Sequence, residues 1–157
     1  MKIKLLVIGK TDDKDLGQLI KKYQQRLNHY INFEIEIIPD IKNVKNLSQL
    51  QQKEKEGELI LSKIKNTDQL VLLDEKGIEF RSLDFAKFLQ KKMNSGIKQL
   101  VLVIGGPYGF SEAIYKTATG KISLSKMTFS HQMIRLFVVE QLYRGFTILK
   151  NEPYHHE

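Results

Sequence analysis

Two periods alternate along this 157-residue chain, one that suits strands and one that suits helices. Lys2–Gly9 is an apolar run rich in leucine and isoleucine that closes on glycine, the pattern of a buried strand. From Asp12 to Tyr30 the period becomes helical, with Leu16, Leu19, Ile20, Tyr23 and Leu27 on one side. Asn32–Pro39 sets Phe33, Ile35 and Ile37 against Glu34 and Glu36, which predicts a strand with one dry and one wet face. Ser48–Lys65 reads as a charged helix with a stripe of Leu50, Leu59, Ile60 and Ile64; its middle, QQKEKEGE, reads as solvated surface. Gln69–Asp74 predicts a second fully apolar strand, Ser82–Asn94 a helix with Phe85, Phe88 and Leu89 inward, and Gln99–Ile104 a third apolar strand. Ser111 caps a short helix to about Thr117, Lys121–Ser125 is a small strand, and His131–Phe146 is a long apolar helix before the tail Asn151–Glu157. Asp40–Leu47 fits either a loop or a helix start.

The order, strand then helix five times over, predicts an α/β sandwich around a mostly parallel sheet. No linker, repeat or low-complexity stretch divides it, so residues 1–157 are expected to form one domain. The absence of cysteine excludes a disulfide framework, a thiolate metal site and a cysteine nucleophile. The start, MKIKLLVIGKTDDK, stops being apolar at Gly9, too early for a signal peptide, and no stretch is long enough to span a bilayer. A soluble, cytoplasmic protein is expected. Net charge is +7, spread over both halves without a basic tail. That balance permits a polyanionic partner such as RNA and equally suits a merely soluble surface.

In open α/β sheets ligands sit beyond the carboxyl ends of the strands. Three segments fall there: Leu73–Gly77 (LDEKG), Gly105–Gly109 (GGPYG) and Leu124–Phe129 (LSKMTF). GGPYG has neither the spacing of a dinucleotide fingerprint nor the lysine of a P-loop. Glycine does let backbone amides and carbonyls approach a flat ligand, and LSKMTF offers walls for an adenine ring or a thioether. The combination suits an adenosyl ligand better than a triphosphate. Three of the four histidines, His131, His155 and His156, gather near the C-terminus with Arg135, Glu140, Tyr143, Arg144 and Tyr154. Adjacent histidines diverge and no acidic cluster accompanies them, so no metal site is expected. Glu140 and Arg144 are spaced for an ordinary helical ion pair.

LDEKG, VIGGPYG (103–109), SLSKMTFSHQ (123–132), VVEQLYRG (138–145) and EPYHHE (152–157) together resemble the bacterial large-subunit rRNA pseudouridine N3-methyltransferases of the SPOUT superfamily. The resemblance runs the whole length, with every motif in order. Two positions depart from the family's usual pattern: Ser130 stands where Pro is common, and His156 where Arg or Lys is common.

The resemblance implies a SPOUT fold with a C-terminal trefoil knot, although sequence reasoning alone would choose an unknotted sheet. It implies S-adenosyl-L-methionine as cofactor, held by Leu73, Gly105, Leu124, Ser125, Lys126, Met127, Thr128 and Phe129. It implies a homodimer whose site is completed by the partner, and 23S rRNA in the assembled ribosome as substrate. The imide proton of the target base must be handled. Tyr154, His155 and then His131 are the candidates for that task, with Arg144 for imide oxygens or a phosphate; Glu140 comes last. The apolar final helix suits an interface and equally a core. Two rivals stay open: a SPOUT enzyme acting on another RNA such as tRNA, and a non-catalytic ribosome-binding factor that retains the adenosyl pocket.

Overall fold

A computed structural model describes residues 1–156. Five strands, β1 (Lys2–Ile8), β2 (Phe33–Ile38), β3 (Asp68–Glu79), β4 (Gln99–Ile104) and β5 (Gly120–Ser123), form one sheet in the order β2-β1-β4-β3-β5. Every pairing between them is parallel. The helices are α1 (Lys14–Leu27), α2 (Gln49–Leu61), α3 (Ser82–Asn94), α4 (Glu112–Thr117) and α5 (Met133–Leu149), with one 3-10 turn at Val44–Asn46.

Because side chains along a strand point alternately up and down, each strand serves two cores. Ile3, Leu5, Val7, Leu100 and Leu102 pack beneath α1, α3 and α5, with Leu27, Leu89 and Leu142 opposite them. Leu6, Leu70, Leu72, Val101 and Val103 face the other way, onto Ile60 of α2 and Ile114 of α4. This is the expected α/β sandwich, and its sheet is wholly parallel.

Three elements differ from their patterns. In β2 the dry face ends early: Phe33 is buried, but Ile37 is 44% exposed. β2 is an edge strand, and its glutamates lie under a lysine lattice: Glu34 pairs with Lys2 at 3.0 Å and Glu36 with Lys63 at 3.1 Å. In α2 the predicted stripe is only half buried: Ile60 and Ile64 meet the core, but Leu50 is 59% and Leu59 39% exposed, while Glu56 and Gly57 from the supposedly solvated stretch are buried. The third difference is in β3, which runs on to Glu79 through LDEKG. Leu73 and Ile78 both face Ile122 of β5, so the four residues between them bulge out of the ladder. A β-carbon on Gly77 would lie 2.5 Å from the Ile122 carbonyl carbon, so glycine is what lets the strand rejoin β5.

α5 begins two residues later than its apolar run suggested, which leaves His131 in the preceding turn. Ser130 Oγ accepts from the Met133 amide at 3.1 Å and so caps that turn, a role for serine at the position where proline is common. At the other end, Asn151 adopts a left-handed conformation (φ 53°). The Glu152 amide reaches back to the Thr147 carbonyl at 3.0 Å and the Asn151 amide to Ile148 at 3.0 Å. This reversal turns the tail back along α5.

Candidate functional site

The carboxyl ends of β3, β4 and β5 enclose a cavity of about 730 Å³, within the range of small-ligand pockets. Of the sequence candidates for the cofactor, Leu73, Gly105, Leu124, Ser125, Met127, Thr128 and Phe129 line it, and so does His131 at its rim. Lys126 does not; it is exposed outside the lining. The Ser125 hydroxyl accepts from the Met127 amide at 2.9 Å, and the Ser123 hydroxyl donates to the Ser125 carbonyl at 2.9 Å, which fixes this third segment as a tight turn. The lining mixes apolar side chains (Leu73, Ile122, Leu124, Phe129) with polar and charged ones (Lys53, Asp74, Lys76), a set able to take both the flat apolar and the polar parts of an adenosyl ligand.

The glycines of GGPYG answer first to protein neighbours. A β-carbon at Gly105 would sit 3.0 Å from the Phe110 ring, and one at Gly106 would sit 2.3 Å from a carboxylate oxygen of Glu56. The loop is therefore pressed onto α2, and Lys53, one turn earlier on that helix, lines the cavity too. Sequence reading missed both α2 residues, because a charged stretch without apolar period looks like surface. It also missed Tyr115, which donates to Asp74 across the cavity mouth. Burial and that carboxylate push its hydroxyl up to about 12.

Arg135 ties the rim to the sheet. It is 2% exposed and donates to the carbonyls of Ile8 (2.6 Å), Gly9 (3.0 Å) and His131 (3.1 Å) and to the Thr11 hydroxyl (3.0 Å). Burial pulls its pKa down, with Asp40 and Asp12 opposing. The four acceptors stand in for water around a buried cation. Gln132 adds a second tie, bonding Asp12 at 2.9 Å and its amide at 3.0 Å.

The other candidates form a separate cluster at the far end of α5. Glu140 accepts from Arg144 at 2.7 and 3.1 Å and from the Tyr154 hydroxyl at 2.9 Å. The Arg144 guanidinium carbon lies 4.7 Å from the centre of the Tyr154 ring, and its Nη1 lies 3.4 Å from His155 Nδ1. Tyr23 meets the Tyr154 hydroxyl at 3.2 Å, and Tyr30 donates to Glu152. Burial, then hydrogen bonds to Tyr23 and Glu140, raise the Tyr154 pKa, so this phenol keeps its proton at neutral pH. The Arg144 pKa is also raised: desolvation opposes, and Glu140 outweighs it. The sequence grouping of Arg144, Tyr154 and His155 is thus met in space. None of the three lines the cavity, and Arg144 lies about three turns along α5 from its first residue, roughly 17 Å by helical rise.

On the α5 side of the cavity lie exposed apolar side chains, with Met127 76%, Met133 41%, Phe137 39% and Phe129 37% exposed, and with the Phe129 and Phe137 rings 5.0 Å apart. Among the described residues no helix is long and apolar enough to cross a membrane, and no three metal-ligating side chains gather.

Comparison with known proteins gives a family. Residues 1–155 match the family model described as "Predicted SPOUT methyltransferase". Proteins named "Ribosomal RNA large subunit methyltransferase H" are similar over full length: that of Flavobacterium johnsoniae is 72% identical over 157 residues, covering all of both chains. Those of Parabacteroides distasonis and Porphyromonas gingivalis (strain ATCC 33277) are 67% and 56% identical, again over 157 residues and all of both chains. With its whole sheet, its three cavity segments and its tail inside that match, the chain belongs to the SPOUT methyltransferase family.

Proposed function

We propose that this protein is a homodimeric, cytoplasmic methyltransferase that uses S-adenosyl-L-methionine to methylate N3 of a pseudouridine in 23S rRNA of the assembled ribosome. The observation that carries the reading is the cavity at the ends of β3, β4 and β5, walled by Leu73, Leu124, Met127 and Phe129, with His131 at its rim. The names of the full-length relatives supply the rRNA substrate. The superfamily's trefoil knot belongs to the same reading, for the segment after β4.

S-adenosylmethionine, when bound, supplies an electrophilic methyl group. The chain's own part is to align that donor with N3 and to manage the imide proton. Alignment of this kind is worth up to ~7–11 kcal/mol in favourable systems. Apolar walls and backbone amides seat the donor. Arg144, its fork held by Glu140, presents a fixed cation to an imide oxygen or a phosphate. Tyr154, held protonated, serves as a donor and stacking surface, and the imidazoles of His155 and His131 are the candidates to take the imide proton.

The distance along α5 makes the second subunit necessary to this scheme. One chain's tail lies far from its own cavity, so the tail that serves a cavity comes from the partner, across the apolar face of Met127, Phe129, Met133 and Phe137. Incubation with labelled S-adenosylmethionine and assembled ribosomes, isolated subunits or bulk tRNA tests the reading. Label on 23S rRNA of ribosomes is expected. Label on tRNA would assign another RNA, and no label on any RNA would leave a non-catalytic ribosome-binding factor.

A further inference from the structure

Glu56 is a buried acid that the proposed chemistry does not use. Its residue is 4% exposed, and it stands on α2 against Gly106 of the GGPYG loop. One oxygen, Oε1, accepts from Gln52 at 2.9 Å; the other, Oε2, is buried without a hydrogen-bond partner. The groups that act on it electrically are few. Asp40, beyond β2, is negative and lies near enough to disfavour a second charge; Gln52, from α2 itself, is neutral. The buried cation Arg135 is taken up by carbonyls and Thr11. Next to Glu56, Gly57 packs onto Ser111, the N-cap of α4, where an added β-carbon would lie 2.4 Å from its hydroxyl oxygen. The helix is therefore clamped to both ends of the segment 106–111.

A carboxylate in this position has one donor and a negative neighbour, whereas the protonated acid needs no counter-charge. We infer that Glu56, in its neutral form, is a positioning residue that seats the Gly105–Gly109 loop for the methyl donor, and that loss of its proton loosens this loop. Burial raises the Glu56 pKa above the ordinary value, Gln52 opposing and Asp40 adding, in line with that geometry. The inference rests on the proposed cofactor site only for its consequence; the coupling of Glu56 to the loop stands on the contacts themselves.

Hydrogen exchange of the amides of Gly105, Gly106 and Tyr108 to Phe110, corrected for intrinsic rate and measured without ligand between about pH 5 and about pH 8, tests the coupling directly. Protection in the wild-type protein should fall as Glu56 ionises, and Glu56→Gln, always neutral, should hold its protection across the range. Titration with S-adenosylhomocysteine follows. Wild-type affinity should weaken severalfold over the same span while Glu56→Gln changes little. Glu56→Ala should raise the KM for S-adenosylmethionine more than it lowers kcat. Loop protection that is independent of pH in the wild type, or that varies identically in Glu56→Gln, overturns the inference. Wild-type protein whose loop responds to pH as expected but which binds no S-adenosylhomocysteine overturns the cofactor reading and leaves the coupling standing.

Discussion

The two ends of α5 are built on opposite principles. At its start, backbone turns, glycines and apolar side chains such as Leu73, Leu124 and Phe129 enclose an open cavity, with Lys53, Asp74, Glu75 and Lys76 also in its lining. At its end, Tyr23, Glu140, Arg144, Tyr154 and His155 meet one another through side-chain contacts. Tyr143 supports them edge-on, 4.8 Å from Tyr154 and 5.9 Å from both Tyr23 and Tyr30. The first end is shaped to receive something, and the second is shaped to hold side chains in one orientation. A group that must meet a substrate at a fixed angle gains from such preorganisation, because the ordering cost is met in folding. Their separation in one chain is what makes the dimer part of the proposed site.

Removing the tail gives the sharpest test of that division. Truncation after Glu152 should lower ribosome methylation by orders of magnitude while S-adenosylhomocysteine still raises the melting temperature, an increment of ~2.7 kcal/mol at 100 times Kd. Loss of the ligand-induced shift would merge the two ends into one site.

Complementation asks which subunit supplies which end. A cavity variant such as Gly106→Val and a tail variant such as Arg144→Ala should each be inactive. Exchanged at equal amounts, they should recover about a quarter of wild-type activity, since half the dimers are mixed and each mixed dimer holds one intact site. No recovery, in a mixture shown to exchange, would place both ends of the site in one chain.

Arg135 separates bracing from chemistry. Arg135→Met keeps the stem but strands three carbonyls, and should cost about 2–4 kcal/mol in denaturant unfolding and weaken S-adenosylhomocysteine binding through the His131 turn. The tail's aromatic contacts should survive in the folded fraction, as the tyrosine ring signals in NMR would report.

The smallest effect belongs to the latch of Tyr30 on Glu152. That hydrogen bond, then burial, pushes the Tyr30 hydroxyl from 10.0 up to about 12. A raised folded pKa means that its stabilisation is complete below 10.0 and is lost as pH rises through about 12. Tyr30→Phe should therefore lower the melting temperature slightly at neutral pH, by under ~1 kcal/mol at this partly solvated site, and the gap from wild type should close in that alkaline window. A gap that stays constant there would show that Tyr30 acts by packing on Tyr143 and Phe146 alone.

Periodicity alone determined the order of the ten main elements, down to the bounds of α3 and β4, because each carries its own apolar repeat and cap or turn signal. The motifs, read in order, pointed to the family, and seven of the eight residues they marked for a cofactor line the cavity, since glycine turns and strand ends are local features. What tertiary structure decided is what depends on residues distant in sequence. A charged stretch became the floor of the GGPYG loop because α2 lands there, and Glu56 carries no local mark of burial. LDEKG became a bulge within a strand because β5 pairs on both sides of it. Arg135 left the C-terminal polar group to brace the end of β1, while Arg144, two and a half turns on, took the tail; the helix repeat placed them on different faces, and only the packing of α5 against α1 and α3 assigned each its partners.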